Sequence, residues 1–418
     1  MSSLHGECPA SPAGRGHSSA PDIGALFRRH GEAFRRGHAL GAMERRVLRD
    51  ISVCRTGALG GHRDVCANCG CEREVWNSCR NRHCPKCQAL RQARWVSARM
   101  QRALPVPHFH VVFTLPAELR ELLRAYEALL LDLLFASASE ALLQLAADPN
   151  RLHGLLGVTA VVHTWGRNLV FHPHLHCIVT AGGLDQQQRW TASAERYLLP
   201  VQVLGRLFRG KFLDGLARLF DAGKLDVTPR LPARVAQLLE PAGFATLKRA
   251  LYEKAWRVYT KAPFKKPDAL FRYLGLYTHR VAISNHRLLR VDHDAVVFRM
   301  RDKQVCELSP LEFIRRFLLH VLPRGFVKVR HFGLYATGNV NSKLAAARTA
   351  IEQEADDRDR ARSVTPIPDQ PVVPDWRTLF HQLTGIDLAA CPNCGSRLSS
   401  QPLPNLTCSP RAPPGLPP

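Results

Sequence analysis

The apolar residues of this chain recur with two periods, and the changes of period mark its elements. Over residues 23–53, Leu26, Phe27, Phe34, Leu40, Met43 and Val47 fall at helical spacing among many arginines. A basic helix is expected over 88–102. The run 106–115, VPHFHVVFTL, is dense in β-branched and aromatic residues and reads as the first strand. Helical sequence occupies 118–147. Its most apolar part, 122–147, is interrupted by Arg124, Glu127, Asp132 and Glu140. Charges at that frequency predict an amphipathic helix or helix pair, not a membrane span.

Residues 156–162 and 169–180 read as two strands of a hairpin around a connection containing WGRN, with Gly182-Gly183 as the stop. Helices are expected over 201–219, 232–259 and 267–277, short strands over 281–300, a helix over 311–322 and a basic strand over 326–331. A charged helix over 343–357 leads into a Pro- and charge-rich linker at 358–374 and a last helix near 376–383. Helices mixed with antiparallel hairpins place the chain in the α+β class.

Charge adds a partner. Lys and Arg number 58 against 35 Asp and Glu, a formal charge of +23. Such an excess favours a polyanion, nucleic acid first and an anionic membrane surface second, although a merely solvated surface carries the same bulk charge. Residues 1–19 are small and polar with no apolar core, so no secretory signal is expected. The chain is read as soluble and cytoplasmic.

Thirteen cysteines are an uneven count for disulfides, and those from Cys54 to Cys87 crowd into one basic segment. In a reducing compartment that crowding points to metal before disulfide. Cys66-x2-Cys69 and Cys84-x2-Cys87 sit in the knuckle-like settings CANCG and CPKCQ. Each pair can put two sulfurs on one tetrahedral zinc, and the expectation is that the second pair closes the site opened by the first. Cys54, His62, Cys79 and His83 remain. They could form a second Cys2His2 site, or Cys79 and His83 could belong to the first. Arg73, Arg80, Arg82, Lys86, Arg91 and Arg94 lie between or just beyond the pairs and are candidates for phosphate contact.

His174-Leu175-His176 lies in a strand-like run, where alternate residues share a face and the two imidazoles stand roughly 6 to 7 Å apart along the backbone. That separation lets two ring nitrogens converge on one cation. A third ligand is expected, with His163 across the hairpin as first choice and His279 as second. His108-Phe109-His110 repeats the pattern on another strand, so the spacing alone does not make a site; the partner strand and a downstream nucleophile favour His174 and His176.

Tyr273 and Tyr277 are four residues apart, which puts both phenols on one face of the expected helix. Core packing is the ordinary explanation of such a pair. Thr278-His279-Arg280 after it and Lys261, Lys265 and Lys266 before it suggest a phosphate-facing role. Tyrosine is a poor nucleophile at neutral pH, and a divalent cation held by histidines would stabilise charge on a scissile phosphate. The product would be a phosphotyrosine bond and a free 3′ hydroxyl. No GxxxxGK[ST] phosphate loop is present.

HTWGRNLVFHPHLHCIVTAGG from His163, YLGLYTHRVAISNHRLL from Tyr273 and RRFLLHVLPRGF from Arg315 occur in that order, preceded by CRTGALGGHRDVCANCG and NSCRNRHCPKCQ. Together these resemble the insertion-sequence-91 family of two-tyrosine HUH transposases, over about residues 25–350. The resemblance implies an HUH-nuclease core behind a small zinc-binding domain and rolling-circle transposition through a 5′-phosphotyrosine. It implies His174 and His176 as ligands of Mg²⁺ or Mn²⁺, Tyr273 and Tyr277 as nucleophiles, and single-stranded DNA at element ends and target DNA as partners. Arg80, Arg82, Lys86 and Arg280 are the candidate DNA contacts.

The expected division is a disordered N-terminus (1–20), a helical and zinc-binding domain (21–103), a catalytic domain (104–350), a linker (351–375) and a tail (376–418). In that tail Cys391-Pro392-Asn393-Cys394-Gly395 reads as a CxxC remnant before a Pro-rich ending, where only Cys408 could add a thiolate. Two rivals remain: a plasmid replication initiator or relaxase with the same chemistry, and a zinc-containing nucleic-acid binder without catalysis.

Overall fold

The computed structural model of the chain describes residues 21–87, 89–166, 169–226, 231–264, 283–300, 303–359, 377–378, 381 and 387–403. They fall into two compact units, one drawn from the ranges 1–94, 279–321 and 373–418, the other from 95–278 and 322–372. Both mix helices with antiparallel strands, so the chain is α+β.

The first unit begins with α1 (Ile23–Gly37) and α2 (Ala42–Ser52), into which the helical stretch over 23–53 is divided. Asp22 caps α1 by accepting from the Ala25 amide. Phe27 of α1 packs edge-on against Phe317 of α9 (Pro310–Leu318), their ring centres 5.3 Å apart. Two three-stranded antiparallel sheets complete the unit. One is β12 (Leu398–Pro402), β1 (Gly61–Cys66) and β2 (Glu72–Trp76) in that order; the other is β10 (Val305–Leu308), β9 (Val296–Arg299) and β8 (Leu288–Val291).

The second unit is built on a six-stranded antiparallel sheet. Its order is β11 (Val329–Gly333), β4 (Leu155–Trp165), β5 (Phe171–Leu184), β3 (His108–Thr114) and β7 (Val258–Phe264), with β6 (Trp190–Ala192) paired to the end of β5. One face is covered by α5 (Glu127–Ala147) and α6 (Val201–Asp221); Phe113 of β3 meets Phe208 of α6 at 5.0 Å. Among the described residues α5 is the one helix long and apolar enough to cross a membrane. Leu130, Leu131, Leu134 and Phe135 on it are fully buried, and each such side chain contributes about 1.5–3 kcal/mol on leaving water. On the other face Trp95, Val96 and Met100 of α3 (Ala89–Arg102) lie over Val161 and Ile178. Shorter helices α4 (Arg120–Ala125), α7 (Ala233–Leu238) and α8 (Pro241–Glu253), and the charged α10 (Lys343–Asp359), surround this core.

Two expectations are corrected. Residues 232–259 are not one helix: Pro241 opens a new helix, α8, and the chain then turns into β7. On this edge strand Val258 is buried but Tyr259 is 57% exposed, so the strand lacks the dense apolar run of an interior one. Gly182-Gly183 do not end the second hairpin strand either. β5 continues to Leu184, and a Cβ on Gly183 would stand 2.8 Å from the Gly154 carbonyl carbon. The glycines serve close approach of two backbones. The stretch 267–277 and most of 376–383 lie outside the described residues.

Candidate active site and metal centres

β4 and β5 pair in a register that sets His163 directly opposite His174 and Val161 opposite His176. Since side chains alternate between faces, His163, His174 and His176 rise from the same side of the sheet. One ring nitrogen from each lies within 4.8 Å of the others. The first-choice third imidazole therefore stands with the pair, while His279 lies outside the described residues. His163 and His176 are buried and His174 is half-buried, so the cluster is reached from the His174 side.

Two hydrogen bonds orient these rings. His174 Nδ1 donates to the His172 carbonyl at 2.7 Å, which puts the ring's lone pair on Nε2. His176 Nδ1 lies 2.7 Å from His110 Nε2, and the two rings stack at 12°. Ligand imidazoles in metal sites are held by such outer partners on the far nitrogen. Three convergent imidazoles fit a divalent cation, and nitrogen donors suit Mn²⁺ better than Mg²⁺. The Trp165 ring stacks on His163 at 4.8 Å, with Lys328 Nζ 4.9 Å from its centre, and Arg124 lies 5.3 Å from the centre of Phe171.

The repeated pattern on β3 splits in two. His108 Nδ1 donates to the Val106 carbonyl at 2.8 Å, and its Nε2 accepts from the Tyr335 hydroxyl at 2.7 Å. Burial pushes His108 down to about 4. His110 is also pushed down to about 4, by burial and then by the nearby Lys261 charge. Sequence reasoning passed over His110 because its signal, adjacency to His176, exists only in the strand order.

The cysteines form two groups. Cys54, Cys79, Cys84 and Cys87 have all sulfurs within 4.8 Å of one another, and so do Cys66, Cys69, Cys391 and Cys394. The expected union of Cys66-x2-Cys69 with Cys84-x2-Cys87 is thus not what forms. Each pair has a different complement, because β12 brings the distant CxxC to the first knuckle while Cys54 at the end of α2 reaches the second. Neither His62 nor His83 joins a group: His62 lies 3.4 Å from Asp64 and His83 is buried against Asn81. Cys87 is held well below the ordinary thiol range by hydrogen bonds from Cys79 and Cys84.

Of the candidate DNA contacts, Arg80 is exposed, Arg82 is half-buried, and Lys86 pairs with Asp22 at 2.8 Å. Tyr273, Tyr277 and Arg280 lie outside the described residues.

A family model described as "Transposase zinc-binding domain" matches residues 26–115, and one described as "Putative transposase" matches 157–343. The first contains the Cys54 group and the second contains all three clustered histidines, so the class is that of transposases with an N-terminal zinc-binding domain. "Putative transposase y4qJ" of Sinorhizobium fredii (strain NBRC 101917 / NGR234) is 42% identical over 385 residues, 90% of this chain and 93% of the relative. "Transposase for insertion sequence element IS801" of Pseudomonas savastanoi pv. phaseolicola is 27% identical over 373 residues, 85% of each chain. The chain belongs to the insertion-sequence-91 family of transposases. No solved structure matches it.

Proposed function

We propose that this transposase cuts and rejoins single-stranded DNA by rolling-circle chemistry, with His163, His174 and His176 as metal ligands and Tyr273 and Tyr277 as paired nucleophiles. The observation that carries this reading is the convergence of three imidazoles on one face of β4 and β5, inside the stretch matched by the transposase model. The phenol oxygen of a tyrosine attacks phosphorus, the bond to the 3′ oxygen breaks, and that oxygen leaves with a proton. The 5′ phosphate stays on the tyrosine. One phosphodiester is exchanged for another, so no nucleotide cofactor is needed. Bound Mn²⁺ or Mg²⁺ would supply stabilisation of charge on the scissile phosphate.

The protein's own groups orient and receive the strand. The His172 carbonyl and His110 hold the rings of His174 and His176 in position. Arg124 and Lys328, each placed on a buried aromatic ring, suit the backbone phosphates of such a strand. The nucleophiles on this reading are Tyr273 and Tyr277. Their spacing of four, in a stretch with a helical pattern, allows one tyrosine to keep a donor end while the other attacks. The partners on this reading are single-stranded element ends and target DNA.

The test is an adduct assay on the purified full chain with labelled single-stranded element ends and Mn²⁺. Wild type is expected to give an SDS-resistant adduct, and the Tyr273→Phe/Tyr277→Phe double variant none. An adduct in the double variant refutes the nucleophile assignment. No adduct with any single strand, by the wild type, refutes the cleavage reading and leaves a zinc-bearing binder.

A further inference from the structure

We propose that the chain holds two structural zinc ions, and that the second is bound by Cys66, Cys69, Cys391 and Cys394. This site joins parts of the chain 322 and 328 residues apart. Its distal half lies outside the zinc-binding family match, which ends at residue 115. The inference is independent of the DNA chemistry above.

Three observations carry it. The first is the geometry of the sulfurs. A zinc–sulfur bond of about 2.3 Å makes the edge of a regular tetrahedron about 3.8 Å. Cys66 and Cys394 lie 3.5 Å apart, as do Cys69 and Cys391, and all four sulfurs fall within 4.8 Å. A pair of disulfides would give each sulfur one near neighbour; here each has three.

The second is that the two halves have the same local structure. Cys66-Ala67-Asn68-Cys69-Gly70 and Cys391-Pro392-Asn393-Cys394-Gly395 share the pattern C-x-N-C-G. In each, the glycine amide donates to the first cysteine's carbonyl at 2.9 Å. Each glycine is left-handed, with φ of +68° and +73°, a conformation that favours glycine. The first cysteine's amide then returns to Cys71 in one turn and Ser396 in the other, at 2.9 and 2.7 Å. Two such turns facing each other form the four-cysteine cage of a zinc ribbon.

The third is that the strand beside the second turn is docked by contacts of its own. β12 pairs with β1 from His62 opposite Pro402 to Cys66 opposite Leu398. Buried Asp64 of β1 accepts from Arg73 of β2 at 2.7 Å and from Ser400 of β12 at 2.6 Å. Residues 391–402, read from sequence as a remnant, are therefore an integral part of the zinc-binding unit. Because metal binding energy becomes folding energy where no site exists in the unfolded chain, this second ion fastens a C-terminal segment to an N-terminal ribbon.

The purified full chain is expected to carry two zinc ions by inductively coupled plasma mass spectrometry. Cys391→Ser/Cys394→Ser is expected to carry one, and Cys84→Ser/Cys87→Ser to keep only the other. One zinc in the wild type, or two in Cys391→Ser/Cys394→Ser, overturns the proposal. A variant that misfolds could shed both ions, so the wild type is also loaded with ¹¹³Cd. Two tetrathiolate resonances are expected, and a single one overturns the proposal. In the zinc-loaded chain, Cys391 and Cys394 should resist alkylation until a chelator is added. Protection that survives the chelator and yields to a reductant means a disulfide, and also overturns it.

Discussion

Strands β3 and β5 lie side by side, each carries a histidine, an apolar residue and a histidine in sequence, and all four imidazoles face the same side of the sheet. His110 stands opposite Ile178 and His108 opposite Thr180, so the two pairs are displaced along the strands. On β5 the pair lies where β4 brings His163 across, and three rings converge. On β3, His108 lies away from that cluster, with the Val106 carbonyl and Tyr335 hydroxyl on its two nitrogens. His110 stands between these conditions, bonded to His176. Spacing within a strand decides only that two imidazoles share a face. What stands opposite each ring decides whether it gathers with other imidazoles, orients a neighbour or anchors the core.

The comparison is broken most severely on β5. His174→Ala or His176→Ala is expected to lower adduct formation on the order of 10²–10³-fold, the scale of losing one preorganised stabiliser of transition-state charge, with circular dichroism unchanged. Wild-type rates in both variants would remove the cluster from the chemistry. On β3 the effect should be smaller and indirect. His110→Leu is expected to weaken Mn²⁺ binding about 10–100-fold, the usual consequence of losing an outer partner. His110→Gln, whose side-chain oxygen can accept from His176 Nδ1, should recover part of it. Mn²⁺ titration followed by electron paramagnetic resonance reads both, and equal affinity in the Leu variant would make β3 scaffold alone.

The smallest effect belongs to His108. His108→Leu should leave Mn²⁺ affinity unchanged but cost about 1–3 kcal/mol of stability, since the buried Tyr335 hydroxyl loses its acceptor. A melting temperature equal to wild type would contradict this. His108 also sharpens the contrast through pH. Burial holds it, and His331 beside the charges of Arg99 and Arg102, at about 4 against an ordinary value of 6.5. Below 6.5 the unfolded chain takes up protons that the folded chain refuses. Stability from these two groups is complete above about 6.5 and declines as pH falls toward 4. Urea midpoints at pH 7 and pH 5 should separate, and should do so less in His108→Leu.

Much of the sheet was legible in the residues. The hairpin 156–162 with 169–180 showed as two strand-like runs around the WGRN connection, and His163 could be placed beside His174 because a hairpin pairs its own strands. β7 was hidden because it lies at a sheet edge, with Tyr259 exposed and no apolar run to announce it. The two glycines after Ala181 looked like a terminus because glycine ends strands more often than it lets two backbones touch. His110 and the division of the cysteines were hidden for a common reason: each depends on a neighbour that local pattern does not specify. Arg80 and Lys86 looked equivalent as phosphate contacts, yet Lys86 is engaged by Asp22.

The amino-acid order alone determined the short-range chemistry of this transposase. It put two imidazoles on one strand face, two sulfurs on each CxxC turn with a glycine where the backbone must turn left-handed, and a cationic excess across the chain. These follow from bond geometry and repeat distances within a few residues. Tertiary structure decided the complements: His163 and His110 around the β5 pair, Cys54 and Cys79 for one knuckle, Cys391 and Cys394 for the other. A metal site needs three or four donors closer together than one turn or strand can supply. The remainder must come from whichever segment strand register and chain closure carry into reach.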